Sequence, residues 1–337
     1  MKEKIIKAIE QCFDPEIPVD LWNLGLIYNI SFESDSQDKI IVNIHVSWLD
    51  PLKVRKMIIV GTKFSDLYNH IKDSDIYKNL IIHKSIEAPI SDVQCVHKSE
   101  YVLNVKQGSL SRADERKINL PWSKRLARRS FLAIQGTLQT SQLALGNGVA
   151  CHLAGGTHHA FKDCGSGFCV FNDLAYASIA LLNQKKVKKI LILDLDVHQG
   201  NGNSEIFQND KNVLTFSMHC ASNYPAKKSK SDIDIELTDN MEDNEYLDIL
   251  NENLKKLNQS KYDFVFYIAG VDIHHNDRLG KLKITDEGIN KRDQIVIENF
   301  YLKKVPLCGV LGGGYNKSFD KLIELHSMLH KNCAKYF

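Results

Sequence analysis

The sequence predicts an α/β protein: a mostly parallel, doubly wound sheet with helices on both faces, preceded by a small α+β segment. Three observations predict it. Apolar runs without alternation recur at Val149–Ala154, Val187–Leu195, Val213–Met218, Phe264–Ala269 and Pro306–Leu311, as expected of strands buried on both faces. Amphipathic helices follow at Asn172–Leu182, Asn244–Leu257, Asp286–Phe300 and Ser318–Leu329, and this alternation is the signature of parallel βαβ units. Polar or glycine-rich words end four of the strands, at the rim where open parallel sheets keep their ligand sites.

Residues 1–50 read separately. A helix is expected over Ile5–Cys12, an extended turn at Asp14–Pro18, and two alternating strands at Leu26–Phe32 and Ile40–Ser47 joined by a polar loop. A junction at 51–62 leads to the larger domain, 63–337. That domain opens with an amphipathic helix at Phe64–Ile71, then a short strand at Ile81-Ile82. Ser123, placed to cap a helix after Pro121, starts a long helix over Arg125–Leu145. Lys124, Arg125, Arg128 and Arg129 in this helix are expected to form a solvated face.

Composition narrows the function classes. A chain of 337 residues with 43% hydrophobic content can bury a sizeable core. A net charge of +2 gives no electrostatic case for a nucleic-acid partner. No apolar stretch reaches the length of a membrane span, and the N-terminus lacks the apolar core of a signal peptide. The cysteines are scattered without a CxxC pair, so reduced thiols and a cytoplasmic setting are expected.

The strand at Ile190–Leu195 should carry no charge, yet it runs into Asp194, Asp196 and His198. Two-residue periodicity puts the three on one face at its carboxyl end. Buried carboxylates need a counter-charge, and mixed Asp/His ligation suits zinc or another first-row divalent metal. An Asp–His hydrogen-bonded pair capping the next helix is the alternative. Three other strands end in Gly155-Gly156-Thr157-His158-His159, in Ala269-Gly270-Val271-Asp272 and in Gly312-Gly313-Gly314-Tyr315. Parallel neighbours would bring all these words to one rim. Asp196, His198 and Asp272 can then supply three ligands and leave positions open for water and substrate. His158 and His159, on a loop, can both reach one pocket and serve as base and acid for amide hydrolysis. Tyr315 can donate to a developing oxyanion, and the glycines beside it let backbone approach a ligand. His274-His275 is expected as loop surface. No GxGxxG or P-loop lysine word accompanies Gly312–Gly314, which argues against a nucleotide site.

Several words together resemble the arginase-deacetylase superfamily, specifically zinc-dependent histone deacetylases of class IV and bacterial acetoin-utilisation-type relatives. They are Gly155-Gly156-Thr157-His158-His159-Ala160-Phe161, Ser166-Gly167-Phe168-Cys169-Val170-Phe171-Asn172-Asp173, and Asp194-Leu195-Asp196-Val197-His198-Gln199-Gly200-Asn201-Gly202. Ala269–Asp272 with Asp277-Arg278-Leu279-Gly280, and Gly312–Tyr315, complete the set. The resemblance implies Zn2+, with Fe2+ as an alternative, on Asp196, His198 and Asp272. It implies His159 as general base, His158 as its electrostatic or acid partner oriented by Asp194, and Tyr315 as oxyanion donor. Gly167 and Phe168 would line an acyl-lysine tunnel with Tyr224 opposite, Gly313 would contact substrate, and K+ would sit near Asp194, Asp196, His198 and Ser217.

Asn201 stands where many of these enzymes carry a second Asp as partner of the base, so His159 should be the weaker base. The implied substrate is an acylated lysine in a protein or peptide, or a small acylated amine. An acetylpolyamine-type amidohydrolase and a catalytically impaired metal- or acyl-binding protein remain as alternatives. The family's first strand is missing ahead of Lys63. In its place, Asp14–Val19 and Asn23-Leu24-Gly25-Leu26-Ile27-Tyr28 resemble half of the small iron–sulfur assembly domain of SufT and PaaD, without that family's cysteine after the second strand, where Val46-Ser47-Trp48 stands.

Overall fold

The computed structural model describes residues 59–336 and the strand backbones at 13–14, 17–20, 27–34 and 40–46. The expected helix at Ile5–Cys12 lies outside the described residues. The chain divides into two compact units, 1–69 and 70–337. In the first, β1 (Phe13–Asp14) pairs antiparallel with β2 (Ile17–Asp20), and β3 (Ile27–Ser34) with β4 (Ile40–Val46). Helix α1 spans Ile59–Lys72.

The second unit carries a six-stranded, wholly parallel sheet. Its strands are β5 (Val149–Cys151), β6 (Ile190–Asp194), β7 (Val213–Cys220), β8 (Ile233–Leu237), β9 (Phe264–Ile268) and β10 (Leu307–Val310). They lie in the order β5-β10-β9-β6-β7-β8. Every residue of β6, β9 and β10 is buried, which is why these strands show no polar alternation. Ile190, Ile192, Phe264 and Phe266 share one core with Phe131 and Ile134 of α5 (Lys124–Asn147) and Leu174 and Leu181 of α6 (Asp173–Asn183). Each such side chain contributes about 1.5–3 kcal/mol on leaving water. Short helix α7 (Asn201–Ile206) follows β6, while α8 (Asp243–Leu257), α9 (Asp286–Leu302) and α10 (Phe319–Ala334) follow β8, β9 and β10. Ser123, Asn172, Thr285 and Ser318 each accept a hydrogen bond from a first-turn amide and cap α5, α6, α9 and α10.

Four local expectations differ. Ile81-Ile82 is not a strand: residues 80–89 have no regular structure and Ile81 is 85% exposed. The segment finds no pairing partner and is pinned to α5 instead, by Ser85 Oγ donating to the Leu132 carbonyl and Ala88 N donating to that of Phe131. Three helices not anticipated, at Ile90–Val93, Ser99–Gln107 and Arg112–Ile118, follow it. Arg129 does not join the solvated face of α5, for burial pulls its guanidinium down to about 10 despite the nearby Cys169, which acts the other way. His274 is buried, one ring nitrogen against Asp286 Oδ1 (2.9 Å) and the other accepting from Asn316 Nδ2 (2.9 Å), while His275 stays exposed.

Candidate active site

Strand β6 delivers Asp194 at its last residue, and the chain turns at once, so Asp196 and His198 follow on the loop above it. The turn is held by the carboxylates themselves. Asp194 Oδ1 accepts from Asp196 N (3.1 Å), and Asp196 Oδ1 from His198 N (3.0 Å). Asp272, just past β9, accepts from Val197 N through Oδ1 (3.0 Å). Asp196 Oδ1 and Asp272 Oδ2 each lie 3.1 Å from His198 Nδ1.

One ligand atom from each of Asp196, His198 and Asp272 falls within 4.8 Å of the others, and this cluster can hold a metal ion. Tetrahedral ligation at about 2.0–2.1 Å separates neighbouring donors by about 3.3 Å, close to the spacing seen. The electrostatics fit as well. Burial disfavours charge on His198, yet its bonds to Asp196 and Asp272 raise it to about 10. Burial, then the charge of Asp196, pushes Asp272 up to about 7. Two carboxylates buried this close together require a positive charge beside them, which a divalent ion would supply.

His158 and His159 follow β5 on the loop that begins at Gly155, their ring centroids 4.1 Å apart and their planes tilted by 47°. The rings diverge at Nδ1. His158 Nδ1 lies 2.6 Å from Asp194 Oδ2, and His159 Nδ1 lies 2.7 Å from Asn201 Oδ1. Burial would lower both. Asp194 and Asp196 overcome it and lift His158 to about 9. His159 has only an amide beside it, so burial and the neighbouring imidazoles of His158 and His198 hold it well below its usual value. The loop is anchored by Asp173 at the first turn of α6, whose carboxylate accepts from Gly156 N (3.0 Å), Thr157 N (2.7 Å) and Thr157 Oγ1 (2.6 Å).

Gly167, Phe168 and Tyr224 stand around His159 and Tyr315. Gly167 has φ +51°, and a Cβ there would meet His159 Cδ2 at 2.7 Å, so only glycine fits. The Tyr224 ring packs edge-on to His159 with centroids 5.0 Å apart, and its hydroxyl lies 2.7 Å from Ser166 Oγ. The Phe168 ring is 5.8 Å from that of Tyr315. Tyr315 is half-buried, but its phenol end lies deep: burial, then Asp272 and Asp196, push it well above its usual value and keep it a neutral donor. Asp277 Oδ2 accepts from Tyr315 N (2.6 Å) and Arg278 Nε donates to the Tyr315 carbonyl (3.1 Å). Gly313 N donates to Asp196 Oδ2 at 2.6 Å. Ser217 is the register partner of Asp194 on β7, with its Oγ 3.0 Å from His219 Nδ1.

The residues singled out from the sequence therefore lie at one end of the sheet. Sequence reasoning assigned no role to Ser166, Asp173 or Asp277, although all three stand inside the quoted words.

The histone deacetylase domain family matches residues 60–328. The chain belongs to the histone deacetylase family. It is 29% identical over 271 residues to histone deacetylase 2 of Arabidopsis thaliana, covering 75% of this chain and 68% of that one. It is 28% identical over 251 residues to the acetoin utilization protein AcuC of Staphylococcus aureus, covering 67% and 64%. An uncharacterised protein of Picosynechococcus is 47% identical over 240 residues, covering 71% and 80%. The crystal structure of the HDA15 HD domain shares the fold, with a TM-score of 0.67, 22% identity and 82% of each chain covered. As a member of the histone deacetylase family, the protein is a hydrolase acting on amides. Among the described residues, no helix is long and apolar enough to cross a membrane.

Proposed function

We propose that the protein hydrolyses the amide of an acylated lysine side chain, or of a small acylated amine of similar shape. The observation that carries this reading is the imidazole pair, its ring centroids 4.1 Å apart, with unlike Nδ1 partners and next to Asp196, His198 and Asp272. Those three residues would hold a divalent ion, zinc or ferrous iron, which when bound polarises the amide carbonyl and makes water acidic. A K+ ion near Asp194, Asp196, His198 and Ser217 belongs to the same proposal.

The remaining chemistry falls to the side chains. His159 donates through Nδ1 to Asn201 and keeps Nε2 free as the base that takes a proton from the attacking water. Its low proton affinity leaves that nitrogen unprotonated at neutral pH. His158, charged against Asp194, steadies negative charge in the cavity, and the pair returns a proton to the leaving amine. Tyr315 donates its phenolic hydrogen to the oxyanion. Gly167, Phe168 and Tyr224 would flank the alkyl chain of the substrate, and Gly313 would let backbone approach it.

The test uses purified full-length protein with acyl-lysine peptides and with acetylpolyamines, each assayed with added zinc and with chelator. Hydrolysis of the peptides that chelator abolishes is expected, and Tyr315→Phe should lower kcat by about 100- to 1000-fold with metal content unchanged. Turnover confined to acetylpolyamines would move the substrate class. Metal binding with no turnover of either would make the protein a binding module and sink the proposal.

A further inference from the structure

Away from the candidate site, two thiols lie in contact. Cys151 ends β5 and Cys333 sits in the last turn of α10, separated by 182 residues in sequence, with their sulfurs 2.6 Å apart. That is inside ordinary sulfur–sulfur contact and close to the about 2.05 Å of a covalent bond between them. The surroundings are shaped to the pair. A Cβ at Gly309, on the neighbouring strand β10, would stand 3.0 Å from Cys151 Sγ, so the glycine leaves the sulfur its room. Cys151 is half-buried and Cys333 almost wholly buried, so an oxidant from solvent meets Cys151 first. Neither thiol touches the residues assigned to amide hydrolysis.

We propose that Cys151 and Cys333 are a two-electron redox site that a peroxide converts to a disulfide, fastening α10 to strand β5. The Cys151 sulfur attacks one oxygen of the peroxide, the O–O bond breaks, and a water (or alcohol) leaves, giving a sulfenic acid. The Cys333 sulfur then displaces the hydroxyl: the S–S bond forms, the S–O bond breaks, and the thiol proton departs with the hydroxyl as water. Two electrons pass from the thiol pair to the peroxide. Burial holds the Cys333 thiol well above its usual value, which makes it the less reactive of the two toward peroxide and leaves the first attack to Cys151. The bond would close a loop spanning nearly the whole sheet, and long loops gain most from such a closure. β5 leads into the His158–His159 loop and α10 follows the loop that carries Tyr315, so the fastening would tie together two elements that are each continuous in sequence with a site loop.

The experiment treats the reduced full-length protein with hydrogen peroxide, blocks free thiols under denaturing conditions, and maps the peptides by mass spectrometry. Cys151 and Cys333 should lose labelling together, alone among the eight cysteines, and appear in one linked peptide that dithiothreitol releases. The oxidised protein should melt about 5 °C or more above the reduced one. Cys333→Ser should lose both the linked peptide and the rise in melting temperature. The map of the unaltered chain decides the matter even if that variant does not fold. Continued labelling of both thiols, separate overoxidation of Cys151, or a link from Cys151 to the nearby Cys308 would each overturn the proposal.

Discussion

Asn201 Oδ1 lies 2.7 Å from Nδ1 of His159, where an aspartate would place a charge beside the ring. The neighbouring ring shows what a charge does, for His158 against Asp194 is lifted to about 9 whereas His159 is held far lower. Burial lowers both of these imidazoles, 4.1 Å apart, and their proton affinities differ because only His158 has a carboxylate on Nδ1 to offset it.

Asn201→Asp should therefore raise the proton affinity of His159. With His159 as the base, the acidic limb of kcat/KM should move to higher pH by about one unit. Profiles of both proteins on one acyl-lysine peptide check this. An unchanged acidic limb would remove His159 from the role of base.

Gly313 is confined by the carboxylates it faces. A Cβ there would stand 2.0 Å from Asp272 Oδ2 and 2.9 Å from Asp196 Oδ2. Gly313→Ala should displace both and lower bound metal about tenfold or more, with activity falling in parallel, while circular dichroism remains native. Full metal occupancy in this variant would count against Asp196 and Asp272 as ligands.

His97 gives the fold an acid limit. Its Nδ1 donates to the Phe161 carbonyl (2.8 Å) and its Nε2 accepts from Asn172 N (3.0 Å), so the ring must be neutral to keep both bonds. Burial lowers it from 6.5 to about 4. A folded value below the unfolded one means that the unfolded chain binds the proton first. The stabilisation is complete above about pH 6.5 and is lost as pH falls toward 4. Chelator-treated protein, unfolded by urea at pH 7.5 and pH 5, should lose about 2 kcal/mol from this residue. His97→Gln should flatten the dependence; an equally steep fall in that variant would place the acid sensitivity elsewhere.

Much of the site was legible because charge ended strands that should carry none. Asp194, Asp196, His198 and Asp272 betray themselves against apolar runs, and a parallel sheet brings such ends together. Supporting residues were not legible in the same way. Asp173 and Asp277 act on backbone amides of loops whose course no local pattern reveals. His274 reads as a polar loop residue until Asp286 and Asn316 are placed beside it. Strand β8 escaped because Ile233-Asp234-Ile235-Glu236-Leu237 is largely half-exposed at the sheet edge, unlike the buried strands within. The helices between residues 90 and 118 lie between the expected α1 and the capped start of α5, where no strand sets a frame.

Phe168 combines backbone strain with contact to Tyr315. Its φ is +66°, a region that costs a non-glycine residue about 1 kcal/mol or more, and it is held there by Phe168 N donating to the Ile118 carbonyl (2.8 Å) and Gly167 N to that of Lys117 (3.1 Å). Two substitutions separate strain from ring. Phe168→Ala and Phe168→Gly both remove the aromatic wall, so both should raise KM for an acyl-lysine peptide to a similar extent, about tenfold. They differ in the Cβ alone, which opposes a positive φ. The glycine variant should therefore be the more stable of the two by about 1 kcal/mol in urea unfolding. Equal stability would mean that the turn relaxes once the ring is gone, and the strain would then come from packing against Tyr315.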